Sequence, residues 1–141
     1  MSRVYWDTML FVYWLEDHPE FAGRVDAIHR RMKQRGDQLI TGAFTFGEVL
    51  AGVRRKGTPQ RVDETRRWLR NLVAEVIPFT LETGDHYAVI RGTLTVAAAD
   101  AIHLALAAEA RADLFLTNDR RLLGKIVPGI QFIAPMDTAL F

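Results

Sequence analysis

The stretch "AAADAIHLALAAEARADLFLTNDRR", Ala97 to Arg121, decides the fold. Its alanine-rich first half reads as a buried helix with Asp100 in the first turn and His103 one turn later. "LFLT", Leu114 to Thr117, then reads as a short buried strand that ends on Asn118 and Asp119. Helix, turn and strand follow one another in a single unit, with a carboxylate at each end of the most apolar sequence in the chain.

The same alternation extends in both directions. "RVYW" (Arg3 to Trp6) is a first strand and "MLFVYWLED" a helix after it; Pro19 suits the first turn of a second helix reaching about Arg35, with Gly36 as its stop. "QLIT" (Gln38 to Thr41) is a second strand. Phe46, Val49, Leu50 and Val53 recur at helical spacing between Phe44 and Arg55. Gly57-Thr58-Pro59 is a break with a cap, and the next helix carries Val62, Leu69, Leu72 and Val73 on one face. "EVIPF" (Glu75 to Phe79) is a third strand ending near Pro78, and a helix from about Leu81 to Thr93 precedes the Asp100 helix. After the fourth strand come a short helix from Arg120 to Lys125 and a fifth strand, Ile130 to Ala134. Strands alternating with helices predict an α/β fold with a parallel sheet and helices on both faces. No repeat, low-complexity tract or long linker interrupts the pattern, so residues 1–141 are expected to form one domain.

Composition narrows the function classes. There are no cysteines, which excludes disulfides, thiolate nucleophiles and cysteine-ligated zinc, and fits a reducing, cytoplasmic setting. The net charge of +1 points to no nucleic-acid partner by itself. Apolar runs are broken by Asp7, Glu48 or Asp100 well short of the ~20 residues of a membrane span. The N-terminus has a faint signal-peptide look, but Asp7 interrupts it and no small-residue cleavage site follows.

The chemistry sits with four acids. In open parallel sheets, sites form at the carboxyl ends of strands, and Asp7 and Asp119 directly follow strands. Glu48 and Asp100 lie near helix starts among apolar residues, where an ionised carboxylate is costly without a cation. Structural roles compete: Asp7 and Asp119 each fit an N-cap, and Asp100 a first-turn acid favoured by the helix dipole. Glu48 fits no cap. If the strands of Asp7 and Asp119 are neighbours, the four share one pocket, where like charges cannot all ionise without a metal. Oxygen ligands of this kind suit Mg²⁺ or Mn²⁺.

"VYWDTML", "FTFGEVLAG", "AAADAIHLALAA" and "FLTNDRRL" occur in the order and rough spacing of the PIN-domain ribonucleases. The chain resembles most the VapC-type toxins of bacterial and archaeal toxin–antitoxin pairs. The resemblance spans nearly the whole chain, and "ADAIHLA" with "FLTNDRRL" is its most specific part. It implies a PIN-like fold of about five parallel strands between helices, and one or two metals (Mg²⁺ or Mn²⁺) held by Asp7, Glu48, Asp100 and Asp119. It also implies an endoribonuclease cutting single-stranded regions of structured RNA, a VapB-like antitoxin partner and a homodimer. A metal there would activate water and stabilise charge on the phosphate, leaving a 5′-phosphate and a 3′-hydroxyl. Two other readings share the fold: a degenerate PIN domain that only binds RNA or protein, and a metal-dependent DNA nuclease.

One departure bears on the degenerate, binding-only reading. The family's first motif is commonly Asp-Thr-Asn, and here it is Asp7-Thr8-Met9, whose methionine supplies no amide hydrogen bonds. Thr8 and Thr117 retain hydroxyls that can orient carboxylates or serve as turn and cap groups.

His103 follows Asp100 at the Asp-x-x-His spacing of a transition-metal site, but a packed, hydrogen-bonded histidine is the favoured reading. His18, His29 and His86 are scattered, so a metal-free ribonuclease using two histidines is unsupported. Arg54, Arg55, Lys56, Arg61, Arg66, Arg67 and Arg70 form the densest basic region, either a solvated helix face or a seat for RNA phosphates. Arg120 and Arg121, directly after Asp119, are better placed for the scissile phosphate. Trp14, Trp68 and the "LFVYWL" stripe fit either core or a partner-binding face, and Trp14 is the candidate apolar contact for the antitoxin.

Overall fold

A computed structural model describes residues 1–141. Five parallel strands form one sheet: β1 (Arg3–Trp6), β2 (Gln38–Gly42), β3 (Glu75–Ile77), β4 (Leu114–Thr117) and β5 (Phe132–Pro135), in the order β3-β2-β1-β4-β5. Six helices connect and cover them: α1 (Thr8–Leu15), α2 (Ala22–Arg35), α3 (Ala43–Lys56), α4 (Pro59–Leu72), α5 (Leu81–Thr93) and α6 (Ala98–Glu109). No helix is long and apolar enough to cross a membrane.

The central strands are buried on both faces, and the period-2 alternation of their side chains builds two cores. Val4 and Trp6 of β1, with Leu114 and Leu116 of β4, point towards α1, α2 and α4, where they meet Phe11, Ile28 and Leu69. Tyr5 and Phe115 point the other way, onto α5 and α6 and the alanine-rich face of Ala101, Leu104, Ala105 and Ala108. Small residues on α6 let that helix lie close against the strands; Gly129, at φ +99°, bends the chain past the backbone of Ala108.

The helix ends show local causes. Gly36 ends α2 in the left-handed conformation, as its sequence position predicts. Thr58 caps α4 with its hydroxyl on the Arg61 N–H, and Pro59 takes the first helical position. Thr80 and Thr83 cap α5 reciprocally.

Three boundaries differ from those expected. Pro19 does not start α2: it lies in a turn whose Glu20 and Phe21 amides donate to His18 Nδ1, and the helix begins at Ala22. The segment after Asp119 is a single 3₁₀ turn, Arg120–Leu122, held by short-range bonds such as Leu122 N–H to Asp119 C=O and too short for an α-helix. β3, by contrast, stops at Ile77 as expected, because the Pro78 that follows has no N–H to give to the ladder. β5 starts two residues late, at Phe132, because Ile130 is tied back to Val127 in a turn.

Candidate active site

The sheet order places the site. β2 and β3 lie on one side of β1, and β4 and β5 on the other, so the direction of strand progression switches between β1 and β4. A crevice forms outside the carboxyl ends of strands at such a switch. Asp7 leaves β1 there, with its N–H on Leu116 C=O at 3.0 Å, and Asp119 follows β4 two residues after Thr117. Glu48 enters from α3 and Asp100 from the first turn of α6. All four carboxylates line one cavity of about 400 Å³, together with Thr8, Met9, Tyr13, His103, Asn118 and Arg120.

Asp7 is the most buried of the four, at 9% exposure. Its Oδ1 accepts the Thr8 N–H at 2.8 Å, which caps α1, and its Oδ2 accepts the Thr117 hydroxyl at 2.8 Å. Thr117 in turn accepts the Asp119 N–H at 3.0 Å, so the two strand-end acids share one hydroxyl between them. Glu48 Oε1 accepts the Thr8 hydroxyl at 2.7 Å and His103 Nε2 at 2.5 Å. Burial pushes the Glu48 carboxyl upward, but the bonds from His103 and Thr8 outweigh it and hold it below its ordinary value. Asp119 caps the 3₁₀ turn through the Arg121 N–H and is clasped by the Arg121 guanidinium at 3.0 and 2.8 Å, which lowers its pKa. Capping and site geometry therefore coexist in Asp7 and Asp119.

Asp100 is the strained member. Burial, then the charges of Asp119 and Asp7, raise its pKa above the ordinary 3.8. No lysine or arginine forms an ion pair with Asp7, Glu48 or Asp100. As they lie, the acids and His103 form no group of three or more close enough to grip a metal ion, but their hard oxygen donors, whose charge the protein's own cations leave largely unbalanced, are of the kind that takes Mg²⁺ or Mn²⁺.

The sign of the Asp100 shift gives a prediction. An acid raised in the folded state costs stability when ionised; the cost is absent below 3.8 and grows as pH rises through the folded value. Metal-free Asp100→Asn protein should therefore melt above the parent at pH 7, and the difference should shrink to nothing towards pH 3. A thermal melt series in EDTA checks it; an Asn variant that melts lower at pH 7 would show that Asp100 is not under this repulsion.

The basic residues divide. Arg120 is exposed on the cavity rim, whereas Arg121 folds onto Asp119. Arg54 and Arg55 lie in the last turn of α3, where a cation also complements the helix dipole. Arg55 and Arg61 line a second, neighbouring cavity of about 520 Å³ between α1 and α3, which shares Thr8, Met9 and Glu48 with the first. Trp14 is half-buried, packed at 5.0 Å on His29 and 6.0 Å on both Trp6 and Trp68. Met9 is exposed at the cavity mouth. The amide of Asn118, donated to the Tyr13 hydroxyl at 3.0 Å, is a polar group of the site that sequence reasoning did not single out. His103 was expected to be packed and hydrogen-bonded, and it is 3% exposed with both ring nitrogens engaged. Its direct link to Glu48 carried no sequence signal, because the two lie 55 residues apart.

The PIN domain family model matches residues 4–126. The chain belongs to the PIN-domain family. PIN domains are nucleases and generally use divalent metals. This PIN domain is similar in fold to a chain of VapBC2 from Rickettsia felis, solved bound to a DNA fragment from its promoter, with a TM-score of 0.73, 16% identity, and 94% and 98% of the two chains covered. It is also similar to a chain of FitAcB from Neisseria gonorrhoeae (TM-score 0.65, 24% identity, 82% and 87% covered). A third likeness is to a toxin–antitoxin complex from Klebsiella pneumoniae (TM-score 0.64, 17% identity, 90% and 94% covered). No curated protein matches the sequence. At these identities the solved structures speak for the fold of the PIN domain alone.

Proposed function

We propose that this PIN domain is the toxin of a VapBC-type pair and hydrolyses phosphodiester bonds in single-stranded regions of structured RNA, using Mg²⁺ or Mn²⁺. The observation that carries the reading is the convergence of Asp7, Glu48, Asp100 and Asp119 on one cavity at the switch point of the sheet, three of them without a lysine or arginine partner. Asp7, Glu48 and Asp100 would hold the cation, with Asp119 completing the set. The cation supplies Lewis-acid activation of phosphate and water. The chain's own residues do the positioning: Thr117 aims Asp7, Thr8 and His103 aim Glu48, and Arg120 on the rim draws in the phosphate. Arg121 would trade Asp119 for the nucleic-acid backbone, and Arg54 and Arg55 would meet phosphates further along the strand.

Side-by-side digestion of RNA and single-stranded DNA, with Mg²⁺ and with EDTA, tests this. The expected result is RNA cleavage leaving 5′-phosphates, abolished by EDTA and restored by Mn²⁺. Cleavage that persists in EDTA would sink the mechanism, and preferential DNA cleavage would sink the substrate.

The toxin–antitoxin complexes among the similar structures support an antitoxin partner. The cavity between α1 and α3 suits an antitoxin tail, since it joins apolar Val12, Leu15 and Val53 to cationic Arg55 and Arg61 and opens onto Glu48. Trp14, set back against Trp6 and Trp68, would support that wall and form the edge of the apolar contact. Arg61→Glu should weaken co-purification with the cognate antitoxin about tenfold or more by reversing a charge at the interface, and leave RNA cleavage by the free protein within a few-fold of the parent. Undiminished affinity would place the tail elsewhere. We further propose that the toxin is a homodimer, to be read from the mass of the purified protein in solution.

A further inference from the structure

The hydroxyl of Tyr5 heads a buried chain of hydrogen bonds that ends on Glu48. Tyr5 is fully buried on the α5–α6 face of the sheet, stacked on Phe115 with ring centroids 5.2 Å apart. Its oxygen lies 3.1 Å from the Gly42 amide and 2.9 Å from His103 Nδ1. The other ring nitrogen of His103, Nε2, meets Glu48 Oε1 at 2.5 Å and the Thr8 hydroxyl oxygen at 3.1 Å.

Two of the donors follow from valence. A backbone N–H only donates, so the Gly42 amide gives its proton to the Tyr5 oxygen. An ionised carboxylate only accepts, so the nitrogen facing Glu48 carries a proton. Burial keeps the Tyr5 hydroxyl protonated. With that proton placed along the 2.9 Å contact, rather than towards the neighbouring Thr41 and Thr45 hydroxyls, Nδ1 is the acceptor. The chain then runs one way: Gly42 N–H to Tyr5, Tyr5 O–H to His103 Nδ1, His103 Nε2–H to Glu48 Oε1.

We infer that Tyr5 is a positioning residue that acts on Glu48 through His103. It fixes the imidazole in the Nε2–H tautomer, and that N–H, with the Thr8 hydroxyl, pins Oε1 and leaves Oε2 for a cation in the acid cavity. The inference rests on the metal-dependent reading above. Glu48 has three side-chain torsions and stands on a helix, so nothing but these two donors fixes the plane of its carboxylate. The architecture around the chain is specific. A Cβ on Gly42 would stand 2.8 Å from the Tyr5 oxygen and would strike Leu106, so the glycine is what lets the amide reach the phenol. Phe44, in the first turn of α3, packs on His103 at 5.2 Å and closes the other side of the ring. Three separate elements, β1, the β2–α3 junction and α6, thus meet to orient one imidazole.

Ordinary satisfaction of buried polar groups would produce the same bonds but no dependence of metal affinity on the phenol. The test therefore reads the tautomer and the affinity separately. In metal-free, ¹⁵N-labelled parent protein, long-range ¹H–¹⁵N correlations should show His103 as the Nε2–H tautomer. Tyr5→Phe keeps the ring stacking and should lose the single tautomer, with Mn²⁺ affinity by calorimetry falling about tenfold, the low end of what outer-shell partners contribute. His103→Gln, whose amide nitrogen can stand where Nε2 stands, should keep affinity within a few-fold of the parent, whereas His103→Leu should lose about 10–100-fold. An Nδ1–H tautomer in the parent overturns the relay, as does folded Tyr5→Phe protein that binds Mn²⁺ as tightly as the parent. If Tyr5→Phe does not fold, equal affinities for His103→Gln and His103→Leu overturn it instead. A parent with the Nε2–H tautomer and no Mn²⁺ binding overturns the metal reading itself, and with it the purpose assigned to Oε2.

Discussion

Asp7→Asn protein is expected to keep its fold and to cleave RNA at least about a hundredfold more slowly than the parent. Outer-shell partners of metal ligands contribute 10–100-fold, and loss of a ligand's charge should exceed that range. The fold should survive because Asn caps a helix as well as Asp does. Its carbonyl can still accept the Thr8 N–H that Asp7 Oδ1 accepts now, and its amide can donate to the Thr117 oxygen in place of accepting from it. Asp7 is also the acid with least access to water, so the change removes charge where solvent can replace it least. Cleavage time courses and thermal melts on the same preparation check it. Parental activity in a folded Asp7→Asn protein would remove Asp7 from the chemistry and leave it a helix cap.

The largest effect on stability is expected at Trp6. This residue ends β1, is fully buried, and packs on Phe11 at 5.1 Å and on Trp14 at 6.0 Å, directly before Asp7. Trp6→Ala should cost about 3–5 kcal/mol, a large fraction of the roughly 5–15 kcal/mol by which such domains are stable. Trp6→Phe should cost much less. The indole Nε1 is buried without a hydrogen-bond partner, and losing that unpaired donor relieves a penalty of about 1–3 kcal/mol that partly offsets the lost volume. Denaturant titration of the two variants separates these contributions. A Phe variant as unstable as the Ala variant would show that the indole N–H is satisfied in solution.

Much of this architecture was legible in the sequence because its strands are short, apolar and bounded by clear stops. "RVYW" and "LFLT" occupy the residues expected of them, and Gly36 and the Thr58-Pro59 pair end and begin helices as their chemistry requires. Boundaries were misplaced where a side chain or a turn overrode a local rule: His18 accepts the amides that Pro19 was expected to leave to a helix, and Ile130 turns back to Val127 before β5 can start. The position of the acids could be read because a carboxylate that interrupts apolar sequence at a strand end has few inexpensive places to go. The Tyr5–His103–Glu48 chain could not, since its members come from three elements and are separated by 98 and 55 residues. The clasp of Arg121 on Asp119 was missed for a different reason: adjacent acid and base residues carry no information about which way each side chain turns.

The central claim is that the four acids form a divalent cation site. Titration of Mn²⁺ into metal-free parent protein by calorimetry, alongside an Asp7→Asn, Asp100→Asn double variant that remains folded, tests it most directly. The account predicts saturable Mn²⁺ binding by the parent that is lost, or weakened at least about a hundredfold, in the double variant. No binding by the parent, or equal binding by the two proteins, would contradict it.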